Sequence, residues 1–326
     1  EAGAGALTLL SCDNVSLNGD VLHRALREEA RRRGHAPLQR FVEERIACPN
    51  TVVDRIVPAT SDADRDEARA LTGFRDACPV GTERFSQWVV EDRFAAGRPD
   101  WARDGVQFVR DAAPFEAMKL RLLNAAHSAL AYLGVPAGFV TVDEAIAQPA
   151  LRAFVDRLWR DDLVPTLPAE VRPLAGGYCE ALLERFANPA LGHRLSQIAI
   201  DGSQKIPMRW LPAVHERLAA GVVPDALALA IAGWARYLGG QGEHGERWTV
   251  DDPLAEPLAK RLAEASPPAR RHAPAPDGDD PLAARAQAVL DFQPVFGDLS
   301  GNALLMDRVA HWSRRLALLG TVETLR

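Results

Sequence analysis

Lysine is almost missing from this chain. Of 38 Lys and Arg residues in 326, only Lys119, Lys205 and Lys260 are lysines. Arginine is the default cation, so a retained lysine is either a chance survivor at the surface or a position where arginine would not serve. Arginine does not lose its proton in proteins, whereas a desolvated lysine can. Cysteine is also scarce. Cys12, Cys48, Cys78 and Cys179 are scattered, with no CxxC and no Cys/His cluster. That excludes a zinc signature and a disulfide framework, and it fits a reducing, cytoplasmic setting. There is no excess of basic charge. The net charge of −6 and pI near 5.8 argue against nucleic acid or an anionic membrane as partner. No apolar run is long enough to span a bilayer, since the longest, Val222–Trp234, is interrupted by Pro224 and Asp225. Walker, HExxH and GxGxxG patterns are all absent.

What is present is one dense stretch from Pro114 to Gly134. Pro114 suits the first turn of a helix, and Gly134 followed by Pro136 suits its end. Leu120, Leu123, Leu130 and Leu133 recur at helical spacing. Glu116, Lys119, Asn124 and His127 interrupt this apolar pattern. At about 100° per residue, with Lys119 at 0°, Glu116 falls near about 60°, His127 near about 80° and Asn124 near about 140°. A core helix loses stability by burying such groups unless they have partners or chemistry to perform.

Upstream the pattern is α/β. Leu7–Leu10 reads as a buried strand running into the polar turn Ser11–Asn14, and Asn14 then lies where α/β sheets gather ligands. Asn18-Gly19 reads as a turn, Asp20–Arg33 as a helix and Phe41–Cys48 as a short amphipathic segment. Asn50–Pro58 is a strand carrying Asp54-Arg55, and Ser61–Leu71 is a polar helix. Phe85–Asp92 and Val106–Asp111 read as strands joined by the Gly97-Arg98-Pro99 turn. Downstream the chain reads as almost entirely helical. Thr141 and Glu144 form a capping box, and helices follow at Pro149–Leu163, Ala175–Ala187, Leu191–Ile200, Leu211–Ala220 and Asp225–Leu238. Asp252-Pro253 and Asp280-Pro281 each pair an Asp N-cap with an N1 Pro. The Pro-rich run Ser266–Pro276 reads as a surface loop.

Lys, Asn and His on one helix, with a second Asn at a strand end, suit chemistry on an alcohol or carbonyl. The lysine takes a hydroxyl proton, amide N–H groups stabilise the alkoxide, and the histidine orients another hydroxyl. No metal is required. A non-catalytic helical interaction module is the alternative of another class.

Five stretches, in order, resemble the polyol-specific long-chain dehydrogenases, the mannitol dehydrogenase family. They are Ser11-Cys12-Asp13-Asn14 with Asn18-Gly19; Val53–Pro58; the K-x4-N-x2-H run from Lys119 to Ser128; Arg185–Pro189; and Asp201-Gly202-Ser203-Gln204-Lys205. The resemblance implies a fold in two parts. Residues 1–110 would be the end of a Rossmann-type nucleotide-binding domain. Residues 111–326 would be a helical substrate domain similar to the C-terminal domain of 6-phosphogluconate dehydrogenase. It also implies metal-free hydride transfer with NAD, NADP remaining open, on mannitol and fructose or alternatively on fructuronate and mannonate. A small-molecule polyol, ketose or sugar acid is then the partner, and the protein is expected to be a monomer. Lys119 would be the acid/base, Asn14 and Asn124 would hold the oxyanion, and His127 would orient substrate. Glu116 would gate a proton path, while Lys205 and Arg194 would reach the far end of the substrate. Asp54, with Asn14 and Lys119, would lie beside the cofactor. The family's Gly-rich phosphate loop is not in these residues. The opening Glu1-Ala2-Gly3 therefore reads as the middle of a longer protein.

Overall fold

The computed structural model describes residues 5–265 and 280–326. The Pro-rich stretch at 266–276 lies outside them. The chain forms two compact units, Glu1–Lys119 and Leu120–Arg326.

The first unit is α/β. Strand β1 (Leu7–Thr8) pairs in parallel with β2 (Ile46–Ala47), and α1 (Asn18–Arg32) and α2 (Ala36–Arg45) lie between them in the chain. The first strand is half its expected length. Beyond Leu9 the backbone is held by side chains instead, for Ser11 O accepts from Asn18 Nδ2 at 3.1 Å and from Thr51 Oγ1 at 2.6 Å. Asn18-Gly19 is the start of α1 and not a turn. A Cβ on Gly19 would lie 2.4–2.5 Å from the backbone of Pro49 and Cys48, so glycine permits this close approach. The segment expected over Phe41–Cys48 divides between the end of α2 and β2.

A second sheet has the order β3 (Thr51–Asp54), β4 (Gln87–Glu91), β5 (Gln107–Val109). Thr51 faces Val90 in an antiparallel pair, and Val90 faces Phe108 in a parallel one. The tight turn expected between the last two strands is therefore a crossover. Parallel neighbours need a long connection, and residues 92–106 supply it with a 3-10 turn at Trp101–Asp104. Val52, Val89 and Ala112 form the core beneath, with Val109 and Phe115 against it. Helix α3 (Asp62–Thr72) starts from a Ser61–Asp64 capping box. Helix α4 (Ala113–Lys119) closes the unit.

The second unit is helical. A π turn, Leu120–Asn124, leads into α5 (Ala125–Gly134). Here the structure departs from the uninterrupted α-helix read from the sequence. The widened turn is braced by donors from distant segments. Trp159 Nε1 donates to Leu122 O at 2.8 Å, Arg209 Nη1 to Asn124 O at 3.3 Å, and Trp210 Nε1 to Ala125 O at 3.1 Å. Such turns recur at functional sites, and the uniform 100° step does not hold across one. Gly134 is the last residue of α5 and not a left-handed cap. Its missing Cβ leaves room for Leu195 Cδ1, which would otherwise stand 2.7 Å away.

Helix α6 (Val142–Ala147) begins at the expected Thr141–Glu144 box. Helix α7 (Pro149–Arg157) ends in a second π turn, Leu158–Leu163, where one straight helix was expected. Helix α8 (Ala175–Phe186) buries Tyr178, Leu182 and Phe186. The helix expected at Leu191–Ile200 shrinks to α9 (Leu195–Ile198), because Gly192 turns left-handed and Arg194 bridges Thr141 in extended form. Then come α10 (Gly202–Arg209), α11 (Leu211–Ala219) and α12 (Asp225–Tyr237). Helix α12 packs on α5 and on α16 (Ala303–Leu325). Residues Ala226–Ala235 of α12 are all buried, as suits a helix apolar on every side. Leu227, Leu229 and Ile231 are fully covered, and each such burial stabilises by about 1.5–3 kcal/mol.

Helices α13 (Ala255–Glu264), α14 (Pro281–Leu290) and α15 (Gln293–Phe296) complete the unit. Asp280 caps α14 as expected, its carboxylate accepting from Leu282 N. Asp252 does not cap α13, whose N-cap is Leu254. Its carboxylate accepts from Leu254 N at 2.8 Å and also from Ser203 N at 2.7 Å and Ser203 Oγ at 2.6 Å, and so caps α10 from outside. No helix among the described residues is long and apolar enough to cross a membrane.

Candidate active site

In the first unit, α4 presents Lys119 to the loop after β1 and to the end of β3. Lys119 Nζ donates to Asn14 Oδ1 at 2.6 Å and to Val53 O at 2.7 Å. These bonds hold the ammonium nitrogen at one place. With its oxygen engaged by the ammonium, Asn14 has Nδ2 left as its donor. Asp54 follows Val53 and is 1% exposed, which places a buried carboxyl next to the carbonyl that takes the lysine.

Glu116 lies one turn before Lys119, and its Oε2 accepts from Leu17 N at 3.1 Å. Leu17 is left-handed, with φ 49°. That conformation costs a bulky residue of order 1–2 kcal/mol. The carboxylate thus holds the Asn14–Leu17 loop in an otherwise unfavourable shape. Cys12 adds no nucleophile here, because burial and then Asp13 push its thiol up and keep it protonated.

In the second unit, the π turn and α5 carry Asn124 and His127, both buried. Asn124 Oδ1 and His127 Nε2 have no hydrogen-bond partner among the described residues. The His127 ring lies 4.5 Å from Phe186 and meets His193 edge-on at 5.4 Å. Burial is the main force holding the His127 pKa well below the usual histidine value, followed by the charges of His193, Arg209 and Arg185. His127 is therefore neutral at pH 7. A neutral imidazole offers one donor and one acceptor, which suits a hydroxyl group. His193 is also pushed down by burial, and its Nδ1 has no partner.

Lys205, on α10, donates to Ile198 O and Ile200 O at the end of α9, and burial followed by Arg209 lowers its pKa. Arg194 is exposed, and the arginines acting on His127 are Arg209 and Arg185. His193 was not singled out from the sequence, and Arg209 entered the sequence reading only as the end of the arginine-rich Leu191–Arg209 region, which could receive a carboxylate. Arg209 had a usable signal, since it follows Lys205 by four residues and so shares its face of α10. His193 had none, because its place depends on a non-helical bridge. Among the described residues no cluster of three or more metal-ligating side chains exists.

The first unit matches the model of the mannitol dehydrogenase Rossmann domain over residues 1–103, and residues 111–317 match that of the mannitol dehydrogenase C-terminal domain. The chain belongs to the mannitol dehydrogenase family. An uncharacterized oxidoreductase of Escherichia coli, YdfI, is 38% identical over 99% of this chain and 64% of its own length. The D-mannonate oxidoreductase of the same organism is 44% identical over 81% of this chain and 54% of its own. The mannitol 2-dehydrogenase of Pseudomonas fluorescens, solved as a ternary complex with NAD and D-mannitol, superposes with a TM-score of 0.81 at 34% identity. That likeness covers 99% of this chain and 62% of the other. The chain thus spans little more than half to about two thirds of these family members. Family membership accounts for an α/β unit of the Rossmann class followed by a helical one.

Proposed function

We propose that this chain supplies the substrate-handling part of an NAD-dependent oxidoreductase that interconverts a sugar alcohol and its ketone, of the mannitol/fructose type. The observation that carries the reading is the Lys119 ammonium held on Asn14 Oδ1 and Val53 O. A lysine placed this way can take the proton of a substrate hydroxyl in oxidation and return it in reduction. Asn14 Nδ2 and the Asn124 amide steady the charge that develops on the substrate oxygen. His127, neutral and unpartnered at Nε2, receives a neighbouring hydroxyl. Glu116, three residues from Lys119, passes the proton towards solvent, and Lys205 answers the far end of the substrate. Residues 1–110 belong to the nucleotide-binding domain, and 111–326 form the substrate domain.

NAD, when bound, exchanges a hydride with the substrate carbon. The described residues do not form a cradle for its pyrophosphate. Gly19, the glycine opening α1, is filled by the backbone of Cys48 and Pro49, so it serves packing and not phosphate approach. The chemistry assigned to this chain is therefore that of the proton and the hydroxyls alone.

A second reading, reduction of fructuronate to mannonate, is favoured by the cations around His127, namely Arg209 and Arg185 with Lys205 beside them. The test is NADH oxidation with fructose, fructuronate and tagaturonate in parallel. Turnover of at least one is expected, and turnover of none refutes the reading.

A further inference from the structure

Arg209 is a half-buried cation whose charge no carboxylate pairs among the described residues. Burial, opposed by Tyr132, pushes its pKa down to about 10. Among the described residues it forms no ion pair, and its hydrogen bonds go to two neutral oxygens. Nη1 donates to Ser128 Oγ at 2.8 Å and to Asn124 O at 3.3 Å. Lys205, one turn away on the same helix, is in a different position. Asp201, Asp252 and Asp251 all act on it in opposition to burial and Arg209. Three carboxylates thus act on the charge of Lys205, whereas Arg209 has no carboxylate at ion-pair distance among the described residues.

Bracing the π turn does not call for a charge. The neighbouring carbonyl, Ala125 O, is braced by the neutral indole of Trp210 at 3.1 Å, and Leu122 O by that of Trp159. Taking an ion out of water costs several kcal/mol, and leaving it unpaired costs more. A neutral donor would brace Asn124 O without that penalty. The two bonds also use only Nη1, so the Nη2 and Nε edge of the guanidinium is left. That edge is the planar fork that takes a carboxylate with two parallel bonds. The bonds to Asn124 and Ser128 hold it beside the unpartnered Asn124 Oδ1 and His127 Nε2.

We propose that Arg209 receives the carboxylate of a sugar-acid substrate, and so selects a hexuronate and its aldonate over a neutral ketose and polyol. This rests on the oxidoreductase reading above and narrows its substrate class. Arg209 is a specificity-determining residue in this scheme, while Asn124 and His127 meet the hydroxyls of the same molecule.

Steady-state reduction of fructuronate and of fructose by the complete enzyme with NADH tests this, using the native protein, Arg209→Gln and Arg209→Lys. The native enzyme is expected to favour fructuronate by at least about tenfold in kcat/KM. Arg209→Gln should lower kcat/KM for fructuronate by at least about 30-fold, mainly through KM, and for fructose by less than about threefold. Arg209→Lys should recover part of the loss, since it restores the charge without the fork. It is also the variant to read if the glutamine protein does not fold. A native preference for fructose, or an equal loss on both substrates, overturns the assignment and leaves Arg209 a brace, with the oxidoreductase reading intact. Turnover of neither ketone overturns the oxidoreductase reading, and this assignment with it.

Discussion

Replacing Asp162 by Asn is expected to stabilise this protein above about pH 6 and to destabilise it by about 1 kcal/mol near pH 4. Asp162 lies in the second π turn, Leu158–Leu163, and is 2% exposed. Its Oδ2 accepts from Leu227 N at 2.8 Å, in the first turn of α12, and Ala226 N contributes a second backbone bond. Those bonds, the helix N-terminus and Arg217 all favour the charged form. Desolvation opposes them and wins, so the carboxyl is pushed up to about 6. A carboxyl whose pKa is higher folded than unfolded, where it is about 3.9, binds its proton more tightly in the folded state. Its stabilising contribution is complete below about pH 4, falls as pH rises from about 4 to about 6, and stays lost above that. At about 1.4 kcal/mol per unit the loss is about 3 kcal/mol. Asparagine does not ionise and escapes it. It presents one oxygen where aspartate presents two, and losing one backbone bond costs about 1 kcal/mol. The net gain at pH 8 is therefore about 1–2 kcal/mol. Urea unfolding of both proteins at pH 4, 6 and 8 measures it, because titration of other groups cancels in the difference. A variant no more stable at pH 8 than at pH 4, relative to native protein, would refute the reasoning.

Lys119→Ala in the complete enzyme should lower turnover by about 10²–10⁴-fold, the usual contribution of a positioned acid/base; near-native turnover would remove Lys119 from the mechanism. Lys119→Arg should not restore activity, since arginine keeps its proton. Gly202→Ala would place a methyl 2.6 Å from both Trp234 Nε1 and Tyr132 OH, and should cost about 1–3 kcal/mol in denaturant unfolding. Gly176→Ala, in the open on α8, should instead stabilise by about 0.5–1 kcal/mol; equal effects at the two sites would contradict the packing described here. Calorimetry with NAD and these 326 residues alone should give a Kd no tighter than about 1 mM, because no glycine-rich helix start holds the pyrophosphate. Micromolar binding would show that another part of this chain does so.

Features governed by neighbours in the chain were legible without the structure. The Thr141–Glu144 capping box and the Asp280 cap stand where their side chains put them, since each bond closes within a few residues. The switch from α/β to helical about a third of the way along the chain was equally plain from periodicity. Asp252 makes the same local bond as Asp280, to the N–H two residues on, yet its helix starts only at Ala255 and its carboxylate also reaches Ser203, 49 residues earlier; no local rule foretells that second bond. Gly19 and Gly134 read as turn and terminator, but each makes room for a distant segment. The pairing of β4 and β5 was misread because a Gly-Pro pair marks a bend whether the chain returns beside itself or crosses over.

For the site the division is the same. The rarity of lysine singled out Lys119, and the polar turn after the first strand singled out Asn14, without showing that the two touch. Their 2.6 Å bond joins residues 105 apart. The π turn that carries Asn124 exists because Trp159, Arg209 and Trp210 reach it from 37 and 85 residues away. The unanswered charge of Arg209 likewise depends on which carboxylates come near it. Residue identity alone determined which groups this protein has for chemistry, and local periodicity determined most of its helices. Only tertiary packing decided which of those groups are desolvated, which are partnered and which are left to meet a ligand, because burial and electrostatic pairing depend on distances that close only in the folded chain.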